Sequence, residues 1–316
     1  MTKSIDFRPA PVALFVYNRP QHTRQTLESL KANTLADQSE LFIYADGPKA
    51  DSSPDDVDKI GAVREVIRKE QWCKTVHIRE AEKNEGLADS IIDGVSEIVS
   101  RFGNIIVLED DLVLSKSFLL YMNQALNIYA ADEKVMHVSG YMYPIKGKLP
   151  KTFFVNLGTC WGWGTWKRAW DHFESDPALL LEKLKKTDSL SRFNLEDSYD
   201  WYSHLVANVE GSMKTWAIRW YTSFYLKSGF SLHPNVSLVR NIGNDDSGSN
   251  CGTNSLLMNQ VVGELFEIER IPVTESLDAR RFIKDYFLGD QDAGDRIRKP
   301  IDFARKLKTF LQKIKR

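Results

Sequence analysis

Residues Asn104 to Ser115 read NIIVLEDDLVLS. The four consecutive apolar residues from Ile105 to Leu108 predict a short strand that is buried on both faces, as in a parallel sheet. Glu109, Asp110 and Asp111 follow at the carboxyl end of this strand, which is the edge where open α/β sheets bind ligands. Three adjacent carboxylates are costly unless a cation or a donor-rich ligand balances them. The stretch therefore indicates a ligand site, and an acidic turn after a strand is the alternative.

The residues before this stretch alternate between strand and helix patterns. This alternation predicts βαβ units, so the fold class is α/β with a mostly parallel sheet flanked by helices. The predicted strands are 12–17, 41–45, 75–79 and 105–108, and the predicted helices are 21–31, 57–69 and 87–102. Further on, the pattern predicts a helix over 115–132, a surface helix and turn over 176–188, and strands over 135–139 and 236–240.

Polar residues follow two other predicted strands. Asn18 and Arg19 come after the first strand and Asp46 after the second, so both positions lie at the edge that carries the three acids. Arg19 can pair with a phosphate, and Asp46 can accept hydrogen bonds from a base or ribose. Taken one by one, these residues also suit a capping Asn and an Asp-Gly-Pro turn. Their convergence favours a nucleotide site, where Mg²⁺ or Mn²⁺ can bridge a diphosphate.

Seven of the eight tryptophans lie between Trp161 and Trp220. Trp161 and Trp163 alternate with Gly162 and Gly164, which combines flat aromatic surfaces with room for close backbone approach. We predict that Trp161 and Trp163 stack on a sugar. The alternative is that the tryptophans belong to the core.

Glu196, Asp197 and Asp200 precede Trp201. A carboxylate beside an aromatic surface is partly desolvated, which brings its pKa closer to the working pH of a general base. The alternative is a helix N-terminus at which acidic residues are favoured by the dipole.

Composition limits the remaining classes. With 316 residues and 42% hydrophobic content the chain can bury a large core, and its three cysteines suit neither a disulfide framework nor a zinc site. The N-terminus lacks a signal-peptide pattern and no apolar run reaches 18 residues, so we expect a cytoplasmic protein.

The C-terminal residues form a basic segment. Residues 296–316 hold nine Lys or Arg and one Asp, a net charge of +8, and the preceding 295 residues carry −9. Within 300–316 the apolar residues share one helical face, which predicts an amphipathic helix on an anionic membrane surface. Docking of this helix on its own domain is the alternative, and nucleic acid is not an expected partner because the remaining chain is acidic.

An ordered series of motifs carries a resemblance over Val12 to Gly252. The series is VYNRP, YADGP, NEGL, VLEDDLVLS, WGWGTWKRAW, Tyr199-Asp200-Trp201 and HPNVSLVRNIG. It resembles nucleotide-sugar glycosyltransferases of the GT-A fold, in particular bacterial relatives of N-acetylglucosaminyltransferase I. One feature departs from the family: no second protein ligand for a metal is evident, since Asn250 and Cys251 stand where some relatives carry a His.

The resemblance implies a role for each matching residue. Asp111 is the expected Mn²⁺ or Mg²⁺ ligand, Asp110 contacts the nucleotide or metal waters, and Glu109 contacts the transferred sugar. Arg19 and Asp46 match nucleotide-binding positions, and Asp200 matches the catalytic base. Glu196 or Asp197 is the alternative base.

We therefore predict a metal-dependent inverting hexosyl- or N-acetylhexosaminyltransferase. It would use a UDP-sugar donor and a surface-glycan acceptor, which is possibly lipid-linked, at the inner face of the plasma membrane. Residues 1–140 would bind the nucleotide sugar, 141–295 the acceptor, and 296–316 the membrane. A catalytically silent glycan-binding protein is the alternative from another class. A sugar nucleotidyltransferase is disfavoured because VALFVYNRPQHT contains no glycine.

Overall fold

The computed structural model describes residues 8–243, 245 and 260–289. Within these ranges the first half of the chain alternates as expected. Its strands are β1 (Val12–Val16), β2 (Glu40–Ala45), β3 (Thr75–Glu80), β4 (Asn104–Glu109), β5 (Leu112–Leu114) and β6 (Val135–Ser139). Its helices are α1 (Pro20–Lys31), α2 (Pro54–Arg68), α3 (Leu87–Phe102) and α4 (Phe118–Ile128).

The second half adds strands to the same sheet and a layer of helices. The strands are β7 (Thr152–Val155), β8 (Trp163–Trp166), β9 (Phe230–Pro234) and β10 (Val239–Asn241). The helices are α5 (Lys167–Trp170), α6 (Pro177–Lys185), α7 (Leu190–Phe193), α8 (Trp201–Val209), α9 (Trp216–Leu226) and α10 (Leu277–Gly289).

Among the described residues, eight strands form one sheet in the order β3-β2-β1-β4-β8-β6-β9-β7. β1 is parallel to β2 and β4, β2 to β3, and β6 to β9. β8 runs antiparallel to both β4 and β6, and β7 runs antiparallel to β9. The sheet is thus mostly parallel, which confirms the predicted α/β class.

Alternation along the strands places a core on each face of the sheet. In β1, Val12, Leu14 and Val16 pack with α1, α2 and α4, whereas Ala13 and Phe15 pack with α3 on the opposite face. Helices therefore cover both faces, as buried parallel strands require.

Two predicted elements were wrong in their bounds. The helix predicted over 115–132 covers Phe118–Ile128, because Leu112–Leu114 forms the separate strand β5 and Ser115 to Ser117 connect it to the helix. The strand predicted over 236–240 is β10, Val239–Asn241, which pairs antiparallel with β5. This two-stranded ribbon lies directly after the acidic residues Glu109 to Asp111.

Two further predictions concern organisation. The predicted division at residue 140 crosses the sheet, since β4 pairs with β8, so both halves share one core. Their separate roles stay predictions. The amphipathic helix predicted over 300–316 lies outside the described residues. Within those residues, no helix combines the length and apolar composition needed to cross a bilayer.

Candidate active site

The carboxyl ends of four parallel strands meet at one edge of the sheet. Phe15 of β1 pairs with Glu109 of β4, and Val16 pairs with Ala45 of β2, so these strands end at the same level. Asn18, Arg19, Asp46 and the three acids after β4 therefore follow the ends of adjacent strands, as the sequence predicts. β6, parallel to this set, brings Gly140 and Tyr141 to the same edge.

Arg19 is the cation nearest to the acidic residues in the described structure. Its Nη1 donates to Asp111 Oδ2 at 2.9 Å and lies 3.8 Å from Asp110 Oδ1. The three side chains are 15%, 9% and 12% exposed for Arg19, Asp111 and Asp110. At such burial the guanidinium is a strong counter-charge for both carboxylates.

The segment after β10 closes over this ion pair. The N–H of Ile242 donates to the Asp111 carbonyl at 2.8 Å. A Cβ atom on Gly243 would lie 2.1 Å from Asp111 Oδ2 and 2.8 Å from Arg19 Nη1. Only a residue without a side chain leaves the ion pair in place at this position.

The three carboxyl groups carry more negative charge than one arginine offsets. Burial, together with the charge of Asp111, raises the pKa of Asp110 to about 7, although Arg19 opposes the rise. Burial and then the charges of Asp111 and Asp110 raise the pKa of Glu109 well above its usual value. The edge therefore holds protons at neutral pH that a bound cation would displace.

The predicted metal site fits these residues only if a ligand completes it. Within the ranges that the structure describes, no three His, Cys, Asp or Glu side chains are grouped closely enough to hold a metal ion. Mg²⁺ commonly binds through one or two carboxylates and the phosphates of a substrate. Asp111, with Asp110 beside it, can supply such a carboxylate pair, so the residues fit a cation that arrives with a diphosphate.

Asp46 has a different role from the predicted one. Its Oδ1 accepts from the N–H groups of Gly47 at 2.8 Å and Glu85 at 2.7 Å. Its Oδ2 accepts from Asn84 Nδ2 at 2.8 Å and the N–H of Gly86 at 3.0 Å. A carboxylate has about four acceptor positions, and all are used. In this structure Asp46 fixes the loop before α3 and has no capacity left for a base or ribose.

Asn18 also makes a local contact. Its Nδ2 donates to Asp56 Oδ1 at 3.3 Å, which links the end of β1 to the first turn of α2. The side chain is half-buried at the same edge as Arg19. Its nucleotide-binding role stays a prediction.

The prediction for Trp163 is corrected by its burial. Trp163 is 0% exposed in β8, and its ring stacks on Trp216 at 4.9 Å and on His137 at 5.4 Å. A sugar cannot reach that ring. Gly164 lets β8 pass the neighbouring elements, since a Cβ there would lie 2.9 Å from the Ile105 carbonyl oxygen. The alternation of Trp and Gly thus reflects core packing at this position.

Trp161 lies outside the strand and stays half-buried. Its ring contacts Tyr141 edge-on, with centroids 4.6 Å apart. A Cβ on the neighbouring Gly162, whose φ is +63°, would lie 2.8 Å from Val239 Cγ2. This packing sets Gly162, the neighbour of Trp161, against β10, which pairs with the strand that follows the acidic residues.

Glu196 and Asp197 are held by other parts of the chain. Glu196 Oε1 lies 3.0 Å from Arg280 Nε, and Asp197 Oδ2 accepts from Ser191 Oγ at 2.7 Å. Both carboxylates thus stabilise the turn between α7 and α8, and this argues against either as the alternative base. Leu195, Glu196 and Asp197 all have positive φ values, 52°, 51° and 59°, which are strained conformations for these residues.

Asp200 lies three residues after this strained turn and caps α8. Its Oδ1 accepts from the N–H of Ser203 at 3.1 Å and from Asn194 Nδ2 at 3.3 Å. The side chain is exposed, and the preceding ring of Tyr199 packs on Trp201 at 4.6 Å. Asp200 is therefore an accessible carboxylate in a fixed orientation. Its action as a base stays a prediction.

The sequence reasoning did not identify Gly243 and Arg280. A glycine shortly after a predicted strand could have indicated close approach at position 243. Arg280 is only 5% exposed and bonds to Glu196, Glu275 and the Arg192 carbonyl. Nothing in the local pattern of α10 distinguishes this buried arginine from the exposed Arg281 beside it.

Comparisons with solved structures gave several alignments. The S. aureus TarS 1-349 crystal structure aligns at 12% identity and a TM-score of 0.30, over 45% of this chain and 39% of that one. UDP-glucose pyrophosphorylase complexed with UDP-glucose aligns at 10% identity and a TM-score of 0.34, over 72% and 90%. Mouse xyloside xylosyltransferase 1 in its apo form aligns at 11% identity and a TM-score of 0.27, over 42% and 53%. The match thus spans less than half of the TarS chain, and at these TM-scores no conclusion about function is drawn.

Comparisons of sequence gave one family. No curated protein sequence matches the chain. A family model described as Glycosyl transferase family 2 matches residues 12–143, which include Arg19 and the three acids and exclude Trp161 and Asp200. Residues 12–143 are thus similar in sequence to glycosyl transferase family 2 domains.

Proposed function

We propose that the protein transfers a sugar from a nucleotide-sugar donor to a hydroxyl of a glycan acceptor. The observation that carries this proposal is the grouping of Arg19 with Asp110 and Asp111 at the sheet edge, inside the segment that matches the glycosyltransferase family. Within that class we favour a UDP-hexose or UDP-N-acetylhexosamine donor. The kinship with N-acetylglucosaminyltransferase I rests on the motif series alone.

On the donor side of the reaction, positive charge must balance the negative charge of the diphosphate. The Arg19 guanidinium can exchange its partner Asp111 for a phosphate oxygen, because carboxylate and phosphate groups are both anionic and both accept hydrogen bonds from its fork of N–H groups. A divalent cation at Asp111 would neutralise the charge that builds on the departing diphosphate. Glu109, half-buried beside them, is assigned to the hydroxyls of the transferred sugar.

The acceptor side requires a base. We assign Asp200, which takes the proton of the acceptor hydroxyl as that oxygen attacks the anomeric carbon and the bond to the diphosphate breaks. The proton ends on the Asp200 carboxyl group and the electron pair of the broken bond ends on the diphosphate. A single displacement inverts the anomeric centre without a covalent intermediate.

The basic C-terminal segment suggests that the reaction takes place at a membrane surface. The basic segment 300–316 supports association with an anionic membrane surface and a lipid-linked surface glycan as acceptor. Deletion of 300–316 should abolish binding to vesicles that contain phosphatidylglycerol, with turnover of a water-soluble acceptor preserved. Unchanged vesicle binding would reject the membrane role.

The decisive experiment measures release of UDP from a panel of UDP-sugars, with and without Mn²⁺. Wild-type protein should release UDP from one donor in a metal-dependent manner, and Asp111→Asn should reduce the rate at least about a hundredfold, as for loss of a charge-stabilising group. Asp171→Asn is the matched control, because Asp171 is an exposed carboxylate paired with Lys167.

Two outcomes would count against the proposal. Turnover that is equal in wild type and Asp111→Asn would reject the assignment of Asp111. Absence of both turnover and UDP binding would reject the glycosyltransferase function in favour of a glycan-binding protein.

A further inference from the structure

Four tyrosines gather between the sheet edge and the helical layer. We call Tyr141, Tyr143, Tyr199 and Tyr286 the tyrosine cluster. Tyr141 and Tyr143 follow β6, Tyr199 precedes α8, and Tyr286 lies on α10. Tyr143 connects the group, since its ring centroid lies 5.3 Å from that of Tyr141 and 5.5 Å from that of Tyr286.

Phe287 joins Tyr199 to the rest of the cluster. Its ring lies 5.0 Å from Tyr143 and 5.0 Å from Tyr199. This packing places Tyr199, the residue before the proposed base Asp200, in the same group of packed rings as Tyr141. Elements far apart in the sequence are thus joined at one place.

Tyr141, Tyr143 and Tyr199 each lie close enough to Cys160 to interact with it electrostatically. Burial and then Tyr143, Tyr286 and Cys160 raise the pKa of Tyr141, and burial is likewise the main cause for Tyr143. Burial followed by Cys160 raises the pKa of Tyr199. These interactions require the hydroxyl groups and the thiol to be near each other. Tyr141, Tyr143 and Tyr199 therefore stay protonated at neutral pH and act as hydroxyl donors and acceptors.

The hydroxyl of Tyr141 has no hydrogen-bond partner in the described structure. The residue is 1% exposed, so its hydroxyl is shielded from bulk water. A buried hydroxyl without a partner costs free energy and calls for an explanation such as a ligand. The two rings that contact Tyr141, those of Trp161 and Tyr143, are themselves half-buried, and residues 158–161 are partly exposed.

The side-chain groups of the tyrosine cluster indicate which class of ligand it can bind. Among the described residues, the neighbours that act on the pKa of Tyr141 and Tyr143 are phenols and a thiol, none of which carries a positive charge. A phosphate or carboxylate would gain no counter-charge from these groups. Neutral hydroxyl groups beside aromatic faces are instead suited to the hydroxyls and apolar C–H faces of a sugar.

We propose that the tyrosine cluster and Trp161 form the acceptor subsite, which binds an uncharged sugar unit next to Asp200. The sugar rests on Trp161, and its hydroxyls bond to the phenol oxygens, including that of Tyr141. This inference rests on the proposed glycosyltransferase function and names the residues that bind its acceptor.

The test measures sugar binding directly by saturation-transfer NMR on the full chain. The probes are maltotetraose, cellotetraose and chitotetraose, each added with UDP and Mn²⁺. At least one should bind wild type, and Tyr141→Phe should weaken its binding about threefold to tenfold, as expected for one hydrogen bond. Equal binding to Tyr141→Phe, or no binding of any probe, would overturn the inference.

Tyr121→Phe is the matched control. Tyr121, in α4, is 0% exposed, and its hydroxyl also lacks a hydrogen-bond partner among the described residues. Its side chain, however, packs in the hydrophobic core. Its substitution should leave sugar binding unchanged. A Tyr121→Phe effect as large as that of Tyr141→Phe would assign both to general destabilisation and overturn the inference.

Alkylation of Cys160 provides a measurement on the unmodified sequence. Iodoacetamide labelling at Cys160, followed by mass spectrometry, should slow in the presence of the probe that binds, and unchanged labelling would oppose the inference. UDP binding is measured separately by calorimetry. If UDP still binds but no sugar probe binds or protects Cys160, only the acceptor subsite is rejected. If UDP does not bind either, the proposed function is rejected.

Discussion

Arg19 and Asp111 form an ion pair of 2.9 Å at the carboxyl edge of the sheet. The pair joins the first strand to the fourth, and both side chains are at most 15% exposed. Its stability contribution depends on the ionisation of the neighbouring carboxyl groups, since Arg19 opposes the rise that burial causes in the pKa values of Asp110 and Glu109.

Arg19→Gln should therefore destabilise the fold more at pH 8 than at pH 5. Above the pKa of Asp110, about 7, the edge holds unbalanced carboxylates once the guanidinium is gone, whereas protonation relieves them at pH 5. We expect a loss of about 2 kcal/mol at pH 8 and less at pH 5, measured by urea unfolding without metal. A loss that is equal at both pH values would contradict this role, and Arg101→Gln, at an exposed pair, is the control.

Gly243→Ala should disrupt the site without unfolding the protein. The added Cβ would lie 2.1 Å from Asp111 Oδ2, so the carboxylate must move away from Arg19. We expect at least about tenfold weaker Mn²⁺-dependent UDP binding by calorimetry, equivalent to roughly 1.4 kcal/mol. Gly61→Ala in α2 is the control, because its added methyl group would have no atom within 4 Å and alanine favours a helix. Unchanged UDP binding in Gly243→Ala would show that Asp111 does not contribute to this site.

Arg280→Gln should destabilise the protein by about 3 kcal/mol, because Glu196 and Glu275 would lose a buried cation. The strained turn Leu195 to Asp197 would also lose a contact that holds it. Chemical unfolding measures the loss, and Arg281→Gln, at an exposed neighbouring position, should change stability little. Equal effects of the two substitutions would argue against the buried ion pair.

His137 should make the protein sensitive to acid. Burial lowers its pKa from 6.5 to about 3, and that of His233 to about 4. Because the unfolded chain binds these protons more readily, the free energy of unfolding falls as the pH drops below 6.5, by about 1.4 kcal/mol per pH unit for each histidine.

His137→Asn removes one of these protonation sites and keeps an acceptor for Trp220 Nε1, which bonds to His137 Nδ1 at 3.1 Å. We expect its free energy of unfolding to fall about 1.4 kcal/mol less per pH unit than that of wild type between about pH 4 and pH 6. Parallel slopes in the two proteins would contradict the assignment to His137. Glu109 and Asp110 act in the opposite direction but equally in both proteins.

Much of the first half of the fold could be predicted from the sequence, because the spacing of apolar residues indicates which positions are buried. The apolar run Ile105 to Leu108 and the 3.6-residue pattern of α3 each match an element of the structure. The shared edge of the polar residues follows from parallel pairing alone. The structure confirms the α/β class and the mostly parallel sheet.

The second half was harder to predict, because its tryptophans and carboxylates fit either a structural role or a binding role. Trp161 and Trp163 are two residues apart, yet one is half-buried and the other lies in the core, and only the pairing of β8 with β4 separates them. Asp46 resembled a ligand residue, but its partners Asn84 to Gly86 lie nearly 40 residues away. Contacts between distant segments decide such cases, and local patterns do not contain them.

The pairing of β4 with β8 also limits how the protein can be divided. A fragment of residues 12–143 would contain the whole family match but would lack β8, so β4 would become an outer strand of the sheet. The N–H and C=O groups of β4 that pair with β8 would then face solvent. Such an edge attracts a second copy, so the family-matched fragment should self-associate when it is produced alone.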